Sequence, residues 1–210
     1  MRRPTSRWAR RGRSLAVAVL VVSAVAVLPI RAVGAPRAPR FGPVIEDYAG
    51  YTAPERCRPG TKPGVDAFAR LLEKRYPDTA WIGIGRACSG NPTSDHQEGR
   101  ALDWGRDARD ASDRRSVEDL FAWLFAEDRY GNTDALARRL GISYLIWNKR
   151  IWGAWDGGWE VYCVKKPSGC RDPESRAILN PHTDHVHISF GWDGARMTTT
   201  FWNPEDSFES

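Results

Sequence analysis

His185 to Phe190 reads HVHISF, and the way these six residues fold governs the reading of the rest of the chain. Side chains alternate faces along a strand, so His185 and His187 point one way while Val186 and Ile188 point the other. Two imidazoles on one face of an otherwise core-like strand call for a partner, because burying a polar ring without one is costly. An isolated H-x-H is ordinarily a pair of hydrogen-bonded or solvent-facing histidines. Here, however, three of the chain's four histidines (His182, His185 and His187) lie between Pro181 and Phe190.

Working outward, "WIGIGRAC", "RALDW" and "ISYLIW" read as three further strands. Val65, Phe68, Leu71, Leu72 and Tyr76 recur at helical spacing and predict a helix from Pro63 that ends before Pro77. Val117, Leu120, Phe121, Leu124 and Phe125 mark a second helix, and "TDALARRLG" a shorter one closed by Gly141. Strands and helices mix without regular alternation. The expected class is therefore α+β, with a small, mostly antiparallel sheet flanked by helices.

The front of the chain is different. Arg2, Arg3, Arg7, Arg10, Arg11 and Arg13 come without an acid, and Leu15 to Leu28 is a run of small and apolar residues. That is the layout of a secretory signal, and the run is shorter than the roughly 20 residues a membrane span needs. The expected organisation is a signal peptide over 1–35, a Pro- and Arg-rich linker over 36–56 and one domain over 57–210. Removing residues 1–35 takes seven basic residues and no acid, so the formal charge falls from +5 to −2. The basic balance belongs to the leader and gives no reason to expect nucleic-acid binding or, once the leader is cleaved, membrane insertion. A secreted, monomeric protein at the cell wall is the expectation.

Cys57, Cys88, Cys163 and Cys170 all follow the leader, and an even count in an oxidising compartment favours disulfides. Three connectivities are possible. Cys57 with Cys88 and Cys163 with Cys170 is preferred because each pair brackets one local unit. No C-x-x-C occurs to suggest a cysteine metal site.

The fourth histidine, His96, lies in "SDHQEGRALDWG", seven residues before Asp103. Asp103 sits mid-strand between Leu102 and Trp104, a poor place for an unpaired carboxylate. A cation would account for it. His96, Asp103 and one histidine of the H-x-H pair would supply two imidazoles and a carboxylate, a hydrolytic zinc set with a position left for water. Gly99 would let the chain turn tightly enough to bring His96 over Asp103.

Ser94, His96, Gly99, Ala101 and Asp103 form S-x-H-x-x-G-x-A-x-D, and with the late H-x-H this resembles the zinc peptidases that cut peptidoglycan peptides. These are the D-alanyl-D-alanine carboxypeptidases and their lysostaphin-like and hedgehog-like relatives, and the resemblance is to a secreted actinobacterial member. It covers residues 81–106 and 182–190. It implies His96, Asp103 and His187 as ligands of Zn2+, with His185 as general base. It also leaves Asp184 and His182 as candidates for the proton-transfer role. His185 is favoured because a strand puts it on the ligand's face, whereas Asp184 would need a kink and could orient a histidine instead. Arg86 matches an arginine that stabilises an oxyanion or holds a substrate carboxylate, although a plain surface arginine fits the position equally. Ser94 is expected to brace its loop through the backbone.

Trp147, Trp152, Trp155 and Trp159 crowd "IWNKRIWGAWDGGWEVYC", either packing a loop without regular structure or walling a substrate cleft. Tyr144 and Trp147 share no strand face, so at most one of them lines the site. The implied function is a secreted zinc metallopeptidase, a hydrolase acting on amide bonds of peptidoglycan stem peptides as carboxypeptidase or endopeptidase. The alternative is a zinc-stabilised cell-wall binding module that does not turn over.

Overall fold

The computed structural model describes residues 36–58, 60–89, 94–162 and 180–208. The leader and the pairing of Cys163 with Cys170 lie outside them. Six strands, β1 (Ile82–Ile84), β2 (Ala101–Gly105), β3 (Ile142–Trp147), β4 (Arg150–Gly153), β5 (Gly158–Val161) and β6 (His185–Phe190), form one open antiparallel sheet in the order β1-β2-β6-β3-β4-β5. The last strand in sequence thus fills the middle of the sheet, between β2 and β3.

Register and alternation sort the side chains onto two faces. Ile82, Leu102, Trp104, Val186, Ile188, Leu145, Trp152 and Trp159 fall on one face, since Ile82 pairs with Trp104, Leu102 and Leu145 with Ile188, and Trp152 with Leu145 and Trp159. This face joins the core built with helices α1 (Pro63–Arg75), α2 (Ala111–Phe125), α3 (Ala135–Leu140) and α4 (Trp192–Arg196). The opposite face carries Asp103, His185, His187, Ser189 and Tyr144, and it holds the site.

Local signals set the helix bounds. Pro63 opens α1, whose Val65, Phe68, Ala69 and Leu72 are buried at three- and four-residue spacing. Asp110 caps α2 by accepting from the backbone N–H groups of Ser112 and Asp113. Gly141 ends α3 at φ +67°, a left-handed cap.

One feature differs from the sequence reading. The Trp-rich stretch is not an irregular loop but the β4–β5 hairpin, entered from β3 through Asn148 and Lys149 at φ +45° and +69°. Two successive positive φ values are what a two-residue hairpin turn requires. Trp147, Trp152 and Trp159 pack on the core side, with Trp152 against Phe125 and Trp159 against Phe121. Residues 36–56 contain no helix or strand, yet they are held along the domain surface. Arg139 donates to the carbonyls of Gly42 and Val44, the Thr200 N–H donates to Glu46, and Arg100 donates to the Thr52 carbonyl.

Candidate metal centre

The pairing of β2 with β6 sets Asp103 directly beside His187. The 94–100 turn brings in His96. Ser94 anchors this turn through its backbone carbonyl, which accepts from the N–H groups of Gln97 and Glu98, and Gly99 closes it at φ +71°. A Cβ on Gly99 would lie 2.0 Å from the Gly60 carbonyl oxygen, so both conformation and space restrict that position to glycine. The disulfide between Cys57 and Cys88 ties the segment before α1 to the loop after β1.

The result is a buried triangle of donors. His96 Nε2 lies 3.1 Å from Asp103 Oδ1 and 3.1 Å from His187 Nδ1, and the latter two atoms are 2.9 Å apart. Protons alone do not satisfy these contacts. The Ser189 hydroxyl donates to Asp95 Oδ2 at 2.6 Å, so its oxygen can only accept from His187 Nε2, 3.2 Å away. Nε2 therefore carries the ring proton. Burial lowers the His187 pKa and keeps the ring neutral, which leaves Nδ1 as a bare lone pair facing the Asp103 oxygen. Burial alone would raise the Asp103 pKa, but the His187 and His96 imidazoles outweigh it and hold the carboxyl well below the usual carboxylate range. Among the described residues, His96 Nδ1 is buried with no hydrogen-bond partner.

Two facing lone pairs and a third nitrogen within reach of both suit a cation. Three ligands about 2.0–2.1 Å from a tetrahedral zinc would sit about 3.3 Å from one another, close to the spacing seen. Among the described residues, His96, Asp103 and His187 are a group that can hold a metal ion.

Other sequence candidates surround the triangle. His185 Nε2 is 3.6 Å from Asp103 Oδ1, and its Nδ1 donates to Asp184 Oδ1 at 2.8 Å. Asp184 is 77% exposed and, by accepting from Nδ1, can orient that histidine. The His182 ring lies 4.6 Å from that of His185 and 5.9 Å from that of His187. Its backbone is left-handed at φ +50°, unusual for a residue other than glycine. Burial, the largest cause, lowers its pKa to about 4. Arg86 reaches Asp103 Oδ2 at 3.5 Å from the rim, with its side chain 58% exposed.

Asp95 and Ser189 escaped the sequence reading, which leaves Tyr144 open against Trp147. Asp95 accepts from Ser189, from the Tyr144 hydroxyl at 2.7 Å and from the buried Arg100 at 2.6 Å. Tyr144, not Trp147, lines the site and stacks on His187 with ring centroids 5.3 Å apart. Ser189 lies two residues after His187 and could have been found by strand alternation alone. Asp95 faces its partners only once β3 and β6 are side by side.

No curated protein matches the chain, and no solved structure does. A family model described as VldE, C-terminal domain, matches residues 57–167, a span that includes His96 and Asp103 and stops short of β6 with His187. That match covers more than half of the 210 residues, and the chain accordingly belongs to the VldE C-terminal domain family.

Proposed function

We propose that this chain is an exported zinc-dependent peptidase that hydrolyses amide bonds in peptidoglycan stem peptides. The observation that carries the reading is the convergence of His96, Asp103 and His187 with a further histidine, His185, held beside them by Asp184. The motif resemblance supplies the substrate class. A divalent ion bound by the three donors would polarise a carbonyl and bring the pKa of its water to about 7. His185 has its proton fixed on Nδ1 by the Asp184 carboxylate, so its Nε2 faces the cluster as an acceptor, the state a general base needs. Arg86 stands where its guanidinium can face negative charge developing on a carbonyl oxygen. His182 is neutral at neutral pH, and its Nδ1–H is committed to the Asn180 carbonyl. It packs beside the His185 ring, and the proton-transfer role falls to His185.

The Cys57–Cys88 disulfide, together with the lack among the described residues of any helix long and apolar enough to cross a membrane, is compatible with secretion. The test is to digest defined stem peptides with and without chelator, identify products by mass and measure bound metal. Chelator-sensitive cleavage with one zinc per chain is expected. Bound zinc with intact peptides would favour the non-catalytic cell-wall module, and the absence of stoichiometric metal would overturn both.

A further inference from the structure

Two glycines on the site face of the sheet are each covered by an indole. A Cβ on Gly105 would lie 2.6–2.8 Å from Nε1, Cδ1 and Cε2 of Trp81. A Cβ on Gly153 would lie 2.5–2.9 Å from Cε2, Cζ2 and Cδ2 of Trp155. Three ring atoms nearly equidistant from one point mean that the ring face, not its edge, lies over the strand. Any side chain at either glycine would push the indole off the sheet.

Each tryptophan is nonetheless far from buried, with Trp81 44% and Trp155 41% exposed. An indole seated face-down with its other face in solvent is a stacking platform. Both belong to the cluster's surroundings. The Trp81 ring centroid is 5.7 Å from that of His185, and Trp155 packs 6.2 Å from Tyr144, which stacks on His187. With Tyr51, also exposed and 5.5 Å from Trp155, they put on this one face three of the seven exposed large hydrophobic residues found among the described residues.

The sheet register gives their spacing. Gly105 pairs with His185 on β6, whereas Gly153 pairs with Tyr144, which pairs with Ser189. Three strand steps and four residues along the strands put the two glycines about 20 Å apart on the diagonal. Asp103 and His187 lie between them, about 7 Å from one and about 14 Å from the other. An extended peptide advances about 3.3–3.6 Å per residue, so roughly six residues reach from one indole to the other.

We propose that Trp81 and Trp155 are specificity-determining platforms on opposite sides of the metal cluster. The substrate is an extended, cross-linked stem peptide that lies across both and is cut at an internal bond. This rests on the peptidase reading and decides between its two modes in favour of an endopeptidase, since a D-Ala-D-Ala terminus leaves a single residue, about 3.3–3.6 Å, beyond the scissile bond and does not reach the platform on that side.

The test compares the whole exported protein with Trp81→Ala, Trp155→Ala, the double variant and Trp81→Phe. The substrates are a cross-linked stem-peptide dimer and an acylated tripeptide ending in D-Ala-D-Ala. Zinc content and circular dichroism check that each variant is folded. Each alanine change is expected to raise KM on the dimer about tenfold, with a smaller loss on the tripeptide. The two effects should multiply in the double variant, and Trp81→Phe should recover part of the loss. Dimer binding to the zinc-free protein, followed by titration calorimetry, should weaken by the same factors. That arm decides the platforms even if no peptide is cut, so it separates failure of this inference from failure of the peptidase reading. Unchanged dimer affinity in both single variants, equal losses on dimer and tripeptide, or no dimer binding by the parent protein would overturn the proposal.

Discussion

Replacing Ser189 with Ala removes one hydroxyl from the site and leaves His96, Asp103 and His187 in place. In the parent protein that hydroxyl accepts from His187 Nε2 and donates to Asp95, fixing the imidazole with its Nδ1 lone pair toward Asp103. In the variant the ring has two choices. It can leave a buried N–H unpaired, at a cost of about 1–3 kcal/mol, or it can move the proton to Nδ1 and donate to Asp103 Oδ1, which is 2.9 Å away. The second choice wins without metal. Asp95 keeps Tyr144 and Arg100 as partners, so the metal-free variant should lose little stability, less than about 1 kcal/mol. A metal ion must then reverse that choice before it can bind. Loss of such an outer partner typically costs about 10–100-fold in metal affinity, or about 1.4–2.8 kcal/mol. Zinc competition against a chromophoric chelator measures the affinity, and long-range 1H–15N spectra of the metal-free protein report which His187 nitrogen is protonated. Zinc affinity within about twofold of the parent, or an Nε2–H tautomer surviving in the variant, would refute the reasoning.

Four other expectations follow from contacts at the site and elsewhere in the domain. His185→Ala should abolish turnover while zinc content stays at one per chain, whereas Asp184→Asn, an exposed partner one step removed, should slow turnover only several-fold; equal activity in His185→Ala would move the base elsewhere. Arg139→Ala should cost about 3–5 kcal/mol in chemical denaturation, because the fully buried guanidinium holds Gly42, Val44, Thr200 and Asp128. Burial would raise the Asp128 pKa, but Asn132, two backbone N–H groups and Arg139 outweigh it and lower it. Its contribution is present above the ordinary carboxylate pKa of about 4 and is lost as pH falls through the lower folded value, so Asp128→Asn should flatten the loss of stability below about pH 4. Chelator treatment should leave the far-ultraviolet dichroism unchanged and the unfolding transition cooperative.

The sequence shows a strand clearly where polar and apolar residues alternate and poorly where both neighbours are large and apolar or Gly. HVHISF and ALDWG announce their two faces, and with them the placement of Asp103 and the H-x-H pair, and ISYLIW is recognised by composition. "RIWG" and "GWEV" do not, because each is four residues long and contains glycine. The turn into β4 also lacks the usual signal, having Asn148 and Lys149 where Asn-Gly would be conspicuous. The donor set was legible because its motif is local at one end and alternating at the other. The network behind it was not, because Asp95 gains its meaning from Tyr144 and Ser189, which are 49 and 94 residues away in the chain.

What keeps the donors together without a metal is the apolar side of the same strand. Slipping β6 by one residue would present Val186 or Ile188 to Asp103 in place of His187 and turn the imidazoles into the core. Val186, Ile188 and Phe190 are fully buried. Exposing all three would cost about 5–9 kcal/mol at about 1.5–3 kcal/mol each, comparable to the whole stability of a typical domain. The register is therefore set by hydrophobic burial against the helices, and the carboxylate and imidazoles are held close at the expense of that burial. A zinc finger is in the opposite position, since without its metal it has too little core to fold. Here the core fixes the cluster first, and an ion bound there would relieve the crowding of lone pairs that the core imposes.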